Sequence, residues 1–293
     1  MSTRQSMRVG FVGPFYPVPV AIEKDKKCEW QIIRSAELGC TALQVPDLPD
    51  DPGALKGLRD LAASKNVELE SYAGGVFGLV GPKAKESREG LLQSIAIAKN
   101  LGCKLIRTGY GHLNIATSRF NKEIPLAQHL DILVQNLKVA APIVADNGLL
   151  LAIENHCDFT GKEMARVFGA VGSPVVGCAL DTANGFTVFC DPNDDVQDLA
   201  RYSITTHLKD MRMVDDFKAP SLIPMVPVGC AVGDGHVDIP AAIAAFERDS
   251  PWAQGLHLII ELGWERIPEG QSRDQVRLDM FHKSIEYLKK LTS

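Results

Sequence analysis

The 293-residue chain has no apolar run approaching the roughly 18 residues of a membrane span. Its N-terminus, MSTRQSMRVGFVGPF, lacks the long apolar stretch of a signal peptide. The two absences predict a soluble, cytoplasmic protein without a membrane partner. Basic residues (31) are outnumbered by acidic ones (36), the net charge is −5, and no cluster of Lys and Arg tracks a phosphate backbone. Nucleic acid is therefore not an expected partner. Seven cysteines are an odd number, and they are scattered without CxxC spacing. Cys103 and Cys178 lie inside apolar segments, so buried free thiols are expected rather than a disulfide framework. No Walker or dinucleotide-binding glycine fingerprint, low-complexity tract or linker interrupts the chain.

What is present is alternation. Strand-like runs fall at 8–13, 42–45, 67–72, 104–109, 149–154, 176–181, 205–208 and 257–262, with 42–45 the weakest. Amphipathic segments fall between and after them, at 31–39, 54–65, 84–101, 125–147, 161–170, 193–202, 239–248 and 274–291. Gly39 and Gly102 follow helix ends, and Thr160 stands where an N-cap belongs. Eight strands alternating with eight helices imply a parallel sheet, and eight is the number that closes a (β/α)8 barrel. The expected fold class is α/β, a single TIM barrel over residues 1–293. The Pro-rich stretch 14–19 reads as a loop over one end. The segment 211–238 is too long for an ordinary βα loop and serves as a lid, a wall or an elaborate surface loop.

Four of the apolar runs end on a side chain that suits a divalent cation. They are 149–154 (LLLAIE), 176–181 (VGCALD), 205–207 (TTH) and 258–261 (LIIE). A strand buried on both faces has little reason to finish on a carboxylate or imidazole unless something compensates the charge. In a barrel, functional groups sit at the C-terminal strand ends, and neighbouring strands are about 4.8 Å apart. Glu154, Asp181, His207 and Glu261 on four consecutive strands can thus hold one ion. Three carboxylates and one imidazole favour Mn²⁺, with Mg²⁺, Co²⁺ and Zn²⁺ compatible.

The segments LAIENH, ALDTANG, THLKD and IIELGW resemble the xylose isomerase-like TIM-barrel superfamily, and within it the sugar phosphate isomerase/epimerase branch. The likeness is clearest over residues 149–265. It implies that Glu154, Asp181, His207 and Glu261 bind one divalent metal and that Glu154 and Glu261 also move protons. Asn184 stands where many ketose epimerases of the branch carry His, and it can hydrogen-bond a sugar hydroxyl but cannot carry a proton. Arg212 lies close to the position of a substrate-binding Arg in those epimerases. Glu154-Asn155-His156 resembles a Glu-x-His pattern of dehydroshikimate dehydratases, in which the His takes part in chemistry. By the period-2 rule, Glu154 and His156 share a face. His156 is therefore expected to be catalytic or to orient a ligand.

Other residues are secondary candidates. Lys209 either holds a substrate oxygen or pairs with a carboxylate, and Arg107 either contacts substrate or forms a structural ion pair. Tyr72, Tyr110, His112, Trp264 and Arg266 lie near strand ends, and His236 sits in the long loop. His129 and His282 read as ordinary surface residues of helices.

The expected activity is a metal-dependent isomerase or epimerase of a small sugar- or polyol-derived keto compound, acting through an enediolate. The alternative is a lyase that expels a β-substituent from the same enolate, as inosose and dehydroshikimate dehydratases do. A nuclease of the endonuclease-like branch would need many more metal ligands and a basic face. Exposed barrel helices often pair in this superfamily, so a homo-oligomer is compatible with the sequence.

Overall fold

The computed structural model describes residues 7–45, 48–111, 115, 119–156, 158–216 and 225–292. Ten strands are present among them: β1 Arg8–Val12, β2 Ala42–Gln44, β3 Glu68–Tyr72, β4 Leu105–Gly109, β5 Leu150–Glu154, β6 Val176–Asp181, β7 Ser203–Leu208, β8 Asp210–Asp215, β9 Met225–Cys230 and β10 His257–Ile260. The helices are α1 Lys27–Glu37, α2 Pro52–Ser64, α3 Ala84–Leu101, α4 Leu126–Asp146, α5 Gly161–Val171, α6 Pro192–Leu199, α7 Ile239–Asp249 and α8 Arg273–Leu291. Eight parallel strands close in the order β1-β10-β7-β6-β5-β4-β3-β2, the expected (β/α)8 barrel. The weakest expected strand, β2, is also the shortest. The expected helix 193–202 divides into α6 and a 3-10 turn, Ala200–Tyr202.

Strand alternation separates two cores. Outward residues such as Phe11, Leu43, Ile106, Leu151, Leu180 and Leu258 pack against Ile32, Leu91, Leu137, Val167 and Phe246 of the helices. Phe11 stacks on Tyr16 at 4.5 Å between ring centroids and meets Phe281 of α8 edge-on. Truncating a buried Phe of this kind costs about 3–5 kcal/mol. Inward residues form smaller clusters, one of Leu105, Ala152, Ala179 and Ile204, another of Val12, Ala42 and Ile259. The pairing of β6 with β7 slips between Cys178 and Ala179, from Ser203 to Thr205. The extra residue, Ile204, joins the inner cluster, and beyond it Asp181 stands opposite His207.

Helix ends carry the expected punctuation. Thr160 caps α5 in a reciprocal capping box with Glu163. Gly102 closes α3 at φ 72°, a left-handed conformation that glycine adopts without Cβ strain. The long segment 211–238 contains most of an antiparallel hairpin, β8 with β9, beside the barrel mouth. Asp210 ties down its base by accepting from the backbone N–H groups of Met211, Gly233, Gly235 and Val237. Five cysteines (Cys28, Cys40, Cys103, Cys178 and Cys230) are buried free thiols, and Cys190 is half-buried.

Candidate metal and substrate site

Glu154, Asp181 and Glu261 stand at or just beyond the ends of β5, β6 and β10, and His207 lies one residue before the end of β7. The side-chain amide of Asn155 joins two of these strands, accepting from Asp181 N at 2.7 Å and donating to Asp181 O at 2.9 Å. Asp181 Oδ1 in turn accepts from the N–H groups of Ala183 and Asn184, which fixes the carboxylate at its turn. The register brings one ligand atom from each of Glu154, Asp181, His207 and Glu261 within 4.8 Å of the others, and all four residues are buried.

The donor set fits a divalent cation. Asp181 Oδ2, His207 Nδ1 and Glu261 Oε2 are buried and lack a well-formed hydrogen bond. His207 Nδ1 faces two carboxylates instead, Glu261 at 3.3 Å and Glu154 at 3.6 Å. A cationic side chain of the chain itself reaches in among them: Lys209 Nζ approaches Glu261 to 2.6 Å and Asp181 to 2.8 Å. Mixed carboxylate and imidazole donors suit a hard or borderline metal, with no thiolate in the set.

Electrostatics follow from burial against these pairings. Burial would raise the Glu154 carboxyl, but the His207 imidazolium and Arg107 hold it at about 2. Burial also opposes ionisation of Glu261, and Lys209 and His207 overcome it, leaving that group well below its usual range. Asp181 goes the other way. Burial, with repulsion from Glu261 and Glu154, lifts it to about 7 despite Lys209. Burial would lower His207, yet Glu261 and Glu154 raise it to about 9, so the metal-free ring is an imidazolium at neutral pH.

Above the cluster opens a cavity of about 490 Å³, whose wall includes Glu154, Glu261, His156, Lys209, Arg107, Tyr72 and Trp264. Phe15 and Pro14, from the loop after β1, complete one side. Arg107 donates to Glu154 at 2.8 Å while also reaching the cavity, so the two expectations for it coexist. Lys209 likewise pairs with carboxylates and faces the cavity, its ammonium 4.6 Å from the Trp264 ring centroid. His156 lines the cavity with a buried, unpartnered Nδ1.

Other expectations fare differently. Asn184 is buried under the site rather than open to the cavity, donating to Glu154 and accepting from Lys209, each at 3.3 Å. Its amide nitrogen also donates to Asn155 O at 3.3 Å. Arg212 is exposed on β8 and does not line the cavity. Arg266 pairs with Asp216 on the surface. His236 Nδ1 accepts from Met213 N, so it braces the hairpin. His129, expected on the surface, instead lies on the buried face of α4 with Leu133 and Leu137, and Tyr110 Oη stands 2.9 Å from its Nδ1. His282 is half-buried beside Tyr16. His112 lies outside the described residues.

The sequence reading missed two groups. Arg277 reaches the cavity from α8 while paired with Glu265. Gln44, Glu70 and His257 form a polar floor inside the barrel. The period-2 spacing of Glu68, Glu70 and Tyr72 in VELESY places all three on one face, a signal that was available.

The chain matches the family described as xylose isomerase-like TIM barrel over residues 32–291. It is 23% identical over 246 residues to 3-oxo-isoapionate decarboxylase of Pectobacterium atrosepticum, covering 82% of this chain and 80% of that one. The structure of L-ribulose 3-epimerase superposes with a TM-score of 0.69 at 15% identity, over 98% of this chain and 94% of the other. A xylose isomerase-like TIM-barrel protein from Mycobacterium smegmatis, in complex with magnesium, superposes at 0.68 with 15% identity, over 100% and 98%. At such identities the structural likeness speaks for the fold.

Proposed function

The chain belongs to the xylose isomerase-like TIM-barrel family, and from that premise we propose that it is a divalent-metal-dependent isomerase or epimerase of a small sugar- or polyol-derived keto compound. The observation that carries the reading is the pair Glu154 and Glu261, whose carboxylates belong to one buried four-residue cluster and also face one cavity. Glu154, Asp181, His207 and Glu261 would hold the cation. Mn²⁺ is the proposed ion, because it accepts both carboxylate oxygen and imidazole nitrogen. A bound cation would polarise the substrate carbonyl and acidify the adjacent C–H.

The chain's own groups do the rest. One of the two Glu takes the proton from the carbon next to the carbonyl, and the C–H electrons move into the carbonyl to give an enediolate. The other returns a proton to the opposite face or to the neighbouring carbon. General acid–base assistance of this kind contributes about 10²–10⁴-fold. Arg107, held by Glu154, presents the rest of its guanidinium to substrate oxygens, and Lys209 stabilises negative charge on the enolate oxygen. Asn184 positions Glu154 and Lys209. The whole chain acts as one domain on a small carbohydrate-like molecule. Among the described residues no helix is long and apolar enough to cross a membrane. A cytoplasmic location and pairing of copies through barrel helices accord with this reading.

A lyase is the second reading. It is favoured by Asn184, which cannot carry a proton, by His156 and Lys209 facing the cavity, and by the decarboxylase relative. Here a β-substituent leaves with its electron pair, or a 3-oxo carboxylate loses CO₂ as its C–C electrons enter the carbonyl. In the second case the enolate is then protonated. The Mn²⁺-loaded protein should be assayed in D₂O against ketoses, keto-inositols and 3-oxo sugar acids. Deuterium in an isomerised product supports the epimerase. Enone absorbance or CO₂ release supports the lyase. Absence of all three across the panel, with Glu154→Gln and Glu261→Gln behaving like the parent, overturns both.

A further inference from the structure

Below the carboxylate cluster part of the barrel interior is filled by buried polar side chains. His207 points Nδ1 at Glu154 and Glu261, and its Nε2 meets the amide of Gln44 on β2. Both amide atoms are within reach, the nitrogen at 2.8 Å and the oxygen at 3.1 Å. Glu70 decides which is which, because its Oε2 lies 2.9 Å from Gln44 Nε2 and a carboxylate can only accept. Glu70 is itself fixed: its Oε1 accepts from Thr205 Oγ1 at 2.5 Å and meets His257 Nδ1 at 2.6 Å. His257 continues to Glu68 at 3.2 Å. Gln44, Glu70, Thr205 and His257 are all buried.

We infer that Gln44, oriented by Glu70, is the positioning residue that sets the metal-binding tautomer and ring orientation of His207. The inference rests on reading the four-residue cluster as a metal site. An imidazole that gives Nδ1 to a cation keeps its proton on Nε2, and a buried N–H needs an acceptor. Gln44 Oε1 supplies it. His207 Nε2 lies within reach of both amide atoms in either orientation, so the choice between them falls to Glu70. Reversal would place the amide oxygen against the Glu70 carboxylate, so Glu70 blocks it. Partners of this kind, one step behind a metal ligand, typically alter affinity by about 10–100-fold.

The test compares the full-length protein with Gln44→Met, Glu70→Gln and the exchanged pair Gln44→Glu/Glu70→Gln. Zn²⁺ affinity is measured by calorimetry, the His207 ring nitrogens by ¹⁵N NMR of the Zn²⁺-loaded protein, and folding by circular dichroism. Gln44→Met should weaken Zn²⁺ by about 10–100-fold. Glu70→Gln, nearly isosteric, should weaken it less and broaden or split the His207 Nε2–H signal; it carries the test alone if Gln44→Met does not fold. The exchanged pair restores an acceptor-only group beside His207 and should recover most of the affinity. Folded single variants with parental affinity and unchanged His207 signals overturn the inference and leave the metal reading standing. A parent protein that binds no Zn²⁺ or Mn²⁺ overturns both.

Discussion

The ammonium of Lys209 lies 2.8 Å from Asp181 Oδ2, inside the set of side chains that would hold a cation. In the metal-free protein Lys209 balances part of the charge of three buried carboxylates. Removing one partner of a buried ion pair leaves the other uncompensated and costs about 3–5 kcal/mol. Lys209→Met should therefore lower the thermal midpoint of the metal-free protein clearly, and saturating Mn²⁺ should recover much of that loss. Thermal melts with and without Mn²⁺ check it. An equal loss in both conditions would mean that lysine and cation do not compensate the same carboxylates.

Binding of the cation should depend on pH in a defined direction. In the metal-free protein burial lifts Asp181 to about 7, and the facing Glu261 and Glu154, working against burial, lift His207 to about 9. Both groups must lose a proton to become ligands. Affinity should rise as pH increases from 6 to 9, and protons should be released on binding. Calorimetry in buffers of different ionisation enthalpy measures both. A flat affinity over that range would contradict the protonation states described above.

The hairpin shapes the cavity through Gly229 on β9. Its N–H donates to Trp264 O at 3.1 Å, and a Cβ at this position would run into the Gly263 carbonyl. Trp264 itself sits at φ 56°, a conformation that needs such support. Gly229→Ala should displace Trp264, raising KM severalfold with a smaller change in kcat, while cation affinity stays at the parental value. Steady-state kinetics beside a Mn²⁺ titration separate the two effects.

Strands such as β1, β5, β6 and β10 were legible because a parallel strand covered on both faces leaves a nearly continuous apolar run, the others because they fall into the same alternation with helices, and the four metal candidates because each stands at or next to a strand end. The hairpin was not legible. Its strands, DMRMVD and MVPVGC, are half-exposed and contain charges and Pro227, so their pairing shows only once the barrel places them side by side. Gln44, Glu70 and His257 escaped for a related reason. Each reads alone as a polar blemish in a short strand, and their convergence depends on closure of the sheet. Asn184 was found, but its engagement with Glu154 and Lys209 depends on the turn after β6, which spacing does not reveal.

The same polar floor should shape the alkaline stability of the protein. His257 is raised to about 9: burial opposes its charge, but hydrogen bonds to Glu68 and Glu70 prevail. A group whose pKa rises on folding stabilises fully below its unfolded value, near 6.5, and that stability is lost as pH climbs through about 9. Glu68 is held at about 2, chiefly by its hydrogen bond to His257, so its contribution is complete above about 4.5 and fades as pH falls toward 2. Urea denaturation of Mn²⁺-saturated protein, in which His207 no longer titrates, should show stability declining from pH 6.5 to 9. His257→Gln should be less stable at pH 6 and should lose most of that decline. If the variant keeps the parental slope, the alkaline loss arises elsewhere and the Glu70–His257–Glu68 array contributes little to it.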